Sequence, residues 1–136
     1  MDRSVLIIDN DESLVAFLAF FFEDRGFTVY TATDGGQGLR LAAEHRPSVI
    51  ISDMMMGETH GFEVLQRIRS DPALARTAII IMSAKSYRSD IERARQLGAT
   101  DYVVKPFKTE ELFELVERYL AAADPGDTGG GGDSVR

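Results

Sequence analysis

The sequence predicts a doubly wound α/β domain over residues 1–123, with five parallel strands and five helices, followed by a Gly-rich tail at 124–136. Two observations predict it. Short apolar runs bounded by turn residues alternate with helical patterns, as buried parallel strands do. Four of those runs end in reactive side chains: Val5–Ile8 at Asp9, Val49–Ser52 at Asp53, Ala78–Met82 at Ser83, and Tyr102–Val104 at Lys105-Pro106. In a parallel sheet all carboxyl ends share one edge, where ligands bind, so two carboxylates, a hydroxyl and an ammonium converge there. That is a constellation suited to phosphoryl transfer. Right-handed crossovers then put helices on both faces.

The elements follow in order. The first strand is Ser4–Asp9. The first helix starts near Ser13, where Asp11, Glu12 and Ser13 supply capping oxygens and N-terminal negative charge, and ends at Arg25-Gly26. Phe27–Ala32 is the second strand, and Gly36–His45 the second helix, stopped by Arg46-Pro47. Val49–Asp53 is the third strand and Gly61–Arg69 the third helix, which exits through Ser70-Asp71-Pro72. Ala78–Met82, a helix at Arg88–Leu97 ending before Gly98, and Asp101–Val104 complete the alternation. The last helix follows Thr109, with Glu110 and Glu111 in its first turn, and fades near Ala123. The strand order 2-1-3-4-5 is expected of the fold class and is not read from individual residues. It places Asp9 and Asp53 at the point where the order reverses.

Composition narrows the function. With 136 residues the chain makes one domain, and without cysteine it has no disulfide or thiolate metal site, which fits a cytoplasmic setting. Residues 1–3 lead directly into the first strand, leaving no room for a signal peptide, and the apolar stretch Leu14–Phe22 is too short to span a bilayer. Net charge is −7; the three acids and one arginine of the tail leave −5 on residues 1–123. So acidic a domain is not expected to bind nucleic acid directly, because phosphate contacts need a basic face. The tail reads as a flexible linker or end.

The motifs Leu6-Ile7-Ile8-Asp9-Asn10-Asp11-Glu12, Asp53-Met54-Met55-Met56 with His60-Gly61, Met82-Ser83-Ala84-Lys85 and Asp101-Tyr102-Val103-Val104-Lys105-Pro106-Phe107 stand in order, each at a strand end. Together they resemble the receiver domain of two-component response regulators, a CheY-like family with a flavodoxin-like fold. The resemblance implies a phosphorylation-activated switch rather than an enzyme acting on other substrates. Asp53 is then the phosphoacceptor, charged by a sensor histidine kinase or histidine phosphotransfer protein. Mg²⁺ is the implied cofactor, held by Asp9, Asp53, the Met55 carbonyl and Asn10. Ser83, Ala84 and Lys105 stabilise the phosphoryl group, a cis Lys105-Pro106 bond sets the loop, and Ser83 with Tyr102 forms the switch. The altered surface is the fourth helix, fifth strand and fifth helix. It would act on a downstream effector protein or an output domain beyond this chain, and the family also allows a phosphorylation-dependent homodimer.

Two residues depart from the family pattern. Asn10 stands where a second acid is usual, which implies weaker Mg²⁺ binding, and Gly57-Glu58 replaces Pro-Gly, which loosens the loop after Asp53. Leu14, Phe17, Leu18, Phe21 and Phe22 follow the spacing of a buried helical face. Val15, Ala16, Ala19 and Phe20 fall off that stripe, and Val15 and Phe20 are expected to extend a phosphodonor-docking surface. Other function classes remain open. Asp9-Asn10-Asp11-Glu12-Ser13 also fits the opening motif of haloacid-dehalogenase-like phosphatases, with Asp9 as nucleophile. Asn10 and Gly57 fit a pseudo-receiver that signals by protein contact without phosphorylation.

Overall fold

The computed structural model describes residues 2–56 and 59–123, with backbone only for 55, 56, 59, 60 and 123. The Gly57-Glu58 departure and the tail at 124–136 lie outside the described residues. In chain order the elements are β1 (Ser4–Ile8), α1 (Glu12–Glu23), β2 (Thr28–Ala32), α2 (Gly35–His45), β3 (Val49–Asp53), the short β4 (Met55–Met56) and β5 (Thr59–His60), and α3 (Gly61–Arg69). After a 3₁₀ turn at Pro72–Leu74 come β6 (Ala78–Ser83), α4 (Arg88–Gln96), β7 (Asp101–Val104) and α5 (Thr109–Ala123). The parallel sheet runs β2-β1-β3-β6-β7, which is the 2-1-3-4-5 order once the antiparallel β4–β5 hairpin is set aside. That hairpin and the 3₁₀ turn were not expected from the sequence.

Both faces of the sheet are covered, which is why its strands read as unbroken apolar runs. Val5, Ile7, Val49, Ile51, Ile80 and Met82 point to α1 and α5. Leu6, Ile8, Ile50, Ile79 and Ile81 point to the side that packs Val64, Leu65 and Ile68 of α3. Each fully buried side chain of this size contributes about 1.5–3 kcal/mol. The α1–α5 layer is aromatic: Phe22 meets Phe27 edge-on at 5.2 Å, and Phe21 meets Phe113 edge-on at 5.8 Å.

This aromatic packing corrects two expectations for α1. Val15 is buried at 6% exposure and takes no part in an outer surface, whereas Phe17 is 53% exposed and outside the core; Phe20, at 69%, is exposed as expected. Leu14–Phe22 contains no polar residue, so the apolar spacing leaves the helix phase undetermined. Docking of Phe21 and Phe22 on Phe113 and Phe27 selects the stripe Val15, Leu18, Phe21 and Phe22. One residue is about 100° of helix, so Phe17, next to Leu18, turns to the flank.

Asp11 caps α1, its carboxylate accepting from the Leu14 N–H at 3.1 Å. Gly26 follows the helix at φ +91°, a conformation that costs glycine nothing. Parallel register pairs Ile8 with Ser52 and Asp53 with Met82, so Asp9 and Asp53 emerge side by side where the strand order reverses.

Candidate functional site

Asp9 follows the last residue of β1, and its N–H extends the pairing to the Ala32 carbonyl at 3.1 Å. Its side chain is buried and fully engaged. Oδ1 accepts from the Asp11 N–H at 2.9 Å and Oδ2 from Lys105 Nζ at 2.8 Å. Asp53 ends β3, with Oδ1 3.4 Å from the same ammonium and a side chain 10% exposed. Lys105 follows β7; its N–H donates to the Ser83 carbonyl at 2.7 Å, which ties the lysine backbone to the end of β6. The Lys105-Pro106 bond is cis. Thus the ends of three non-consecutive strands deliver Asp9, Asp53 and Lys105 to one point.

The charges there do not balance. Burial, and then the negative charge of Asp9, hold the Asp53 carboxyl above the ordinary carboxylate range, against the opposing pull of Lys105. Burial works against the Lys105 ammonium, but the Asp9 hydrogen bond and the Asp53 charge outweigh it and raise its pKa. A carboxyl raised on folding binds protons better folded than unfolded. Stability therefore falls as pH rises from the ordinary carboxylate range near ~4 through the raised pKa, and the penalty is complete above it. Asp53→Asn is accordingly expected to raise the melting temperature at pH 7.5. The gain should vanish below about pH 4, where Asp53 is neutral in both states. Melting curves that show no stabilisation at pH 7.5 would contradict this.

The same imbalance bears on a metal. Two buried carboxylates face one ammonium, leaving a site of hard oxygens that is one positive charge short. Among the described residues no three His, Cys, Asp or Glu side chains form a metal cage. Mg²⁺ does not require one; it commonly rests on one or two carboxylates and keeps several waters. The donor set therefore fits Mg²⁺. Asn10, beside Asp9, is exposed. Asp11 is occupied as the α1 cap and does not replace the missing acid. Met55 lies in β4, two residues beyond Asp53.

Ser83, at the end of β6, is buried, and its hydroxyl is engaged outside the Asp9, Asp53 and Lys105 cluster. It approaches Met54 Sδ at 3.8 Å and accepts from the Lys85 N–H at 3.0 Å. Ala84 is exposed beside it. Tyr102 donates its hydroxyl to the Lys85 carbonyl at 3.0 Å and sits 3.9 Å from Met54 Sδ. Ser83 and Tyr102 thus share Met54 as a neighbour. Nothing in a run of three methionines marks one sulfur as a contact point, so the sequence does not single out Met54.

Gly61 was also missed as a determinant. A Cβ there would lie 2.6 Å from the Asp53 carbonyl oxygen and 2.6 Å from Met54 Cα, and the Gly61 N–H donates to the Met54 carbonyl at 2.6 Å. The first turn of α3 is pressed against the backbone that carries Asp53. The available signal was a glycine opening a helix, a position where a residue with a side chain is ordinarily preferred.

A five-stranded doubly wound sheet, with acids at its switch point and a lysine after its last strand, defines the flavodoxin-like class in its CheY-like form. The chain belongs to the response regulator receiver domain family, whose model matches residues 5–117. It is 32% identical over 124 residues to the alkaline phosphatase synthesis transcriptional regulatory protein PhoP of Bacillus subtilis, covering 91% of this chain and 51% of that protein. A probable transcriptional regulator, ycf29, of Pyropia yezoensis is 31% identical over 89% of this chain and 54% of its own length. The chain therefore spans about half the length of these curated relatives. Among solved structures, the chemotaxis response regulator CheY4 of Vibrio cholerae superposes with TM-score 0.82 at 30% identity, covering 88% of this chain and 99% of that one. The receiver domain of Francisella response regulator 1452 gives TM-score 0.84 at 28% identity, covering 90% and 100%. The protein is thus a receiver domain of the two-component signalling type. Among the described residues no helix is long and apolar enough to cross a membrane.

Proposed function

We propose that Asp53 accepts a phosphoryl group from a histidine kinase or histidine phosphotransfer protein, and that this changes the face formed by α4, β7 and α5. The observation that carries the reading is Lys105 Nζ held between Asp9 and Asp53. An Asp53 carboxylate oxygen attacks phosphorus, the phosphorus–nitrogen bond to the donor imidazole breaks, and the imidazole keeps the bonding pair. Lys105 offsets the charge gathering on the phosphoryl oxygens. Asp9, Asp53 and the Met55 carbonyl, with Asn10 alongside, would hold Mg²⁺, which would supply the remaining positive charge. Ser83 then leaves Met54 for the phosphoryl group, past the small side chain of Ala84, and Tyr102 responds through the Lys85 carbonyl and the Met54 sulfur they share. Phosphorylation shifts this equilibrium only through contacts that differ between the two arrangements.

Asp53 suits the nucleophile's part better than Asp9, the phosphatase alternative. Both Asp9 oxygens are engaged and its side chain is 1% exposed, against 10% for Asp53. Intact mass after incubation with acetyl phosphate and Mg²⁺ tests the reading: one added phosphoryl group, absent from Asp53→Asn, is expected. Phosphate release that needs Asp9 and not Asp53 would make the protein a phosphatase. No adduct, and no beryllofluoride complex either, would favour signalling by contact alone.

Two further outcomes follow from this proposal. Asn10→Asp adds a charge beside Asp9 and should tighten Mg²⁺ binding about threefold to tenfold, as read by calorimetric titration; equal or weaker binding would count against Asn10 as a metal-site residue. The outer face of α1, where Phe20 and Phe17 are exposed, serves as the phosphodonor's docking surface. Phe20→Glu should slow transfer from a cognate kinase while leaving acetyl phosphate labelling unchanged, and an unchanged kinase rate would remove Phe20 from that surface.

A further inference from the structure

The amino-terminal edge of the sheet, opposite Asp53, holds an open cavity of about 560 Å³. Its size is that of a small-molecule site. Three arginines line it, Arg46, Arg69 and Arg76, and Asp2 is the single carboxylate among its described lining residues. On a chain of net charge −7 this is a local reversal of sign.

None of the three makes an ion pair among the described residues. Arg69 is partly buried, and its guanidinium is fixed by the Gly98 carbonyl at 2.8 Å, the Leu74 and Ala75 carbonyls at 3.1 and 3.3 Å, and Thr100 Oγ1 at 3.3 Å. Every one of these partners is neutral. Burial alone draws the Arg69 pKa down, as it does for a cation given no anion. Arg46 and Arg76 are exposed, and neither makes an ion pair among the described residues. Arg46 is also the only non-glycine residue at positive φ among the described residues, at φ 47° and ψ 60°, on the C-cap of α2. Glycine or asparagine is favoured at such a cap, so an arginine there works against its own backbone. An outlier of this kind is a ground for seeking a role for the side chain.

We propose that this cavity binds a small organic phosphate monoester. Guanidinium groups match phosphate oxygens in pairs, as Arg46 and Arg76 can, while Arg69, with four of its five N–H groups on neutral acceptors, adds charge and at most one donor. Three of them against Asp2 leave two positive charges, which suits a dianion. The walls contributed by Pro47, Ala73, Ala78 and Leu120 are apolar and leave room for an organic body. The site involves none of Asp9, Asp53 or Lys105, so it stands or falls separately from the phosphoacceptor reading.

Phenyl phosphate, titrated in Mg²⁺-free buffer and followed by amide NMR, is the probe, with phenol and inorganic phosphate alongside. Shifts are expected around Ser48, Thr77 and Thr100, with phenyl phosphate binding at least about tenfold more tightly than inorganic phosphate and phenol not binding. Arg46→Gly should raise the melting temperature by relieving the backbone, yet weaken binding at least about tenfold; Arg76→Ala should weaken binding without stabilising the fold. A role of Arg46 in structure alone would not produce that opposition. Shifts confined to the Asp53 edge, no shifts at millimolar ligand, or full affinity in both variants would overturn the proposal. Inorganic phosphate binding as tightly as phenyl phosphate would mean an adventitious ion only, and would overturn it too.

Discussion

Lys105→Met is expected to destabilise the metal-free protein by about 2 kcal/mol and to slow labelling of Asp53 by acetyl phosphate about 10²–10³-fold. Lys105 Nζ lies 2.8 Å from Asp9 and 3.4 Å from Asp53, and among the described residues no other cation pairs with either carboxylate. Methionine keeps the length of the stem and removes the charge. Asp9, 1% exposed, would then keep only the Asp11 N–H, while facing a second carboxylate. Loss of one partner from a buried pair typically costs 3–5 kcal/mol; the lower figure reflects a lysine side chain 25% exposed, whose charge water already screens in part. Denaturant melts in EDTA measure the first effect. Adding Mg²⁺ should restore more stability to the variant than to the native chain. Equal stability without metal would mean that the lysine does not hold the two acids together.

Gly61→Ala should be the most damaging single-methyl change near the site. Its Cβ would fall 2.6 Å from the Asp53 carbonyl oxygen, 2.6 Å from Met54 Cα and 2.7 Å from the Met54 carbonyl oxygen, all backbone atoms that cannot rotate away. Either α3 shifts outward or the end of β3 moves. Overpacking of this kind costs about 1–3 kcal/mol. Displacing a reacting group by about 1 Å can cost ~10²-fold in rate. Gly36→Ala is the control: its Cβ meets only Asp34 Oδ1, at 3.5 Å, and it lies in the first turn of α2. It should be neutral or slightly stabilising. Gly61→Ala with native melting temperature and native labelling rate would show that the backbone behind Asp53 is softer than this geometry implies.

Much of this arrangement was legible in the residues themselves. Strands buried on both faces leave nearly unbroken apolar runs, and in a parallel sheet the residue closing each run must lie on the common edge. Asp9, Asp53, Ser83 and Lys105 could therefore be placed near one another before any coordinates. What stayed hidden has identifiable causes. The stretch from Leu14 to Phe22 offers apolar side chains in every direction, so only the docking of Phe21 and Phe22 on Phe113 and Phe27 decides that Val15 goes in and Phe17 comes out. The contacts of Met54 with Ser83 and Tyr102 span 29 and 48 residues and leave no periodic trace. Arg46, Arg69 and Arg76 meet only because α2, α3 and the segment before β6 end at the same edge, and a chain of net negative charge gives no hint of a basic pocket.

The helices are anchored very unequally. Within α1, Val15, Leu18, Phe21 and Phe22 are buried, whereas α4 buries Ala94 alone, and its N-cap, Tyr87, makes no side-chain capping bond. Detaching α4 therefore forfeits full burial of one methyl group, together with the partial burial of Leu97 and the Arg93–Phe62 contact, a smaller loss than detaching α1. The domain combines a frame that resists deformation with a lever that gives at low load. If the proposed switch moves α4, the work is done against Ala94, Leu97 and the Arg93–Phe62 contact rather than against the strength of the core.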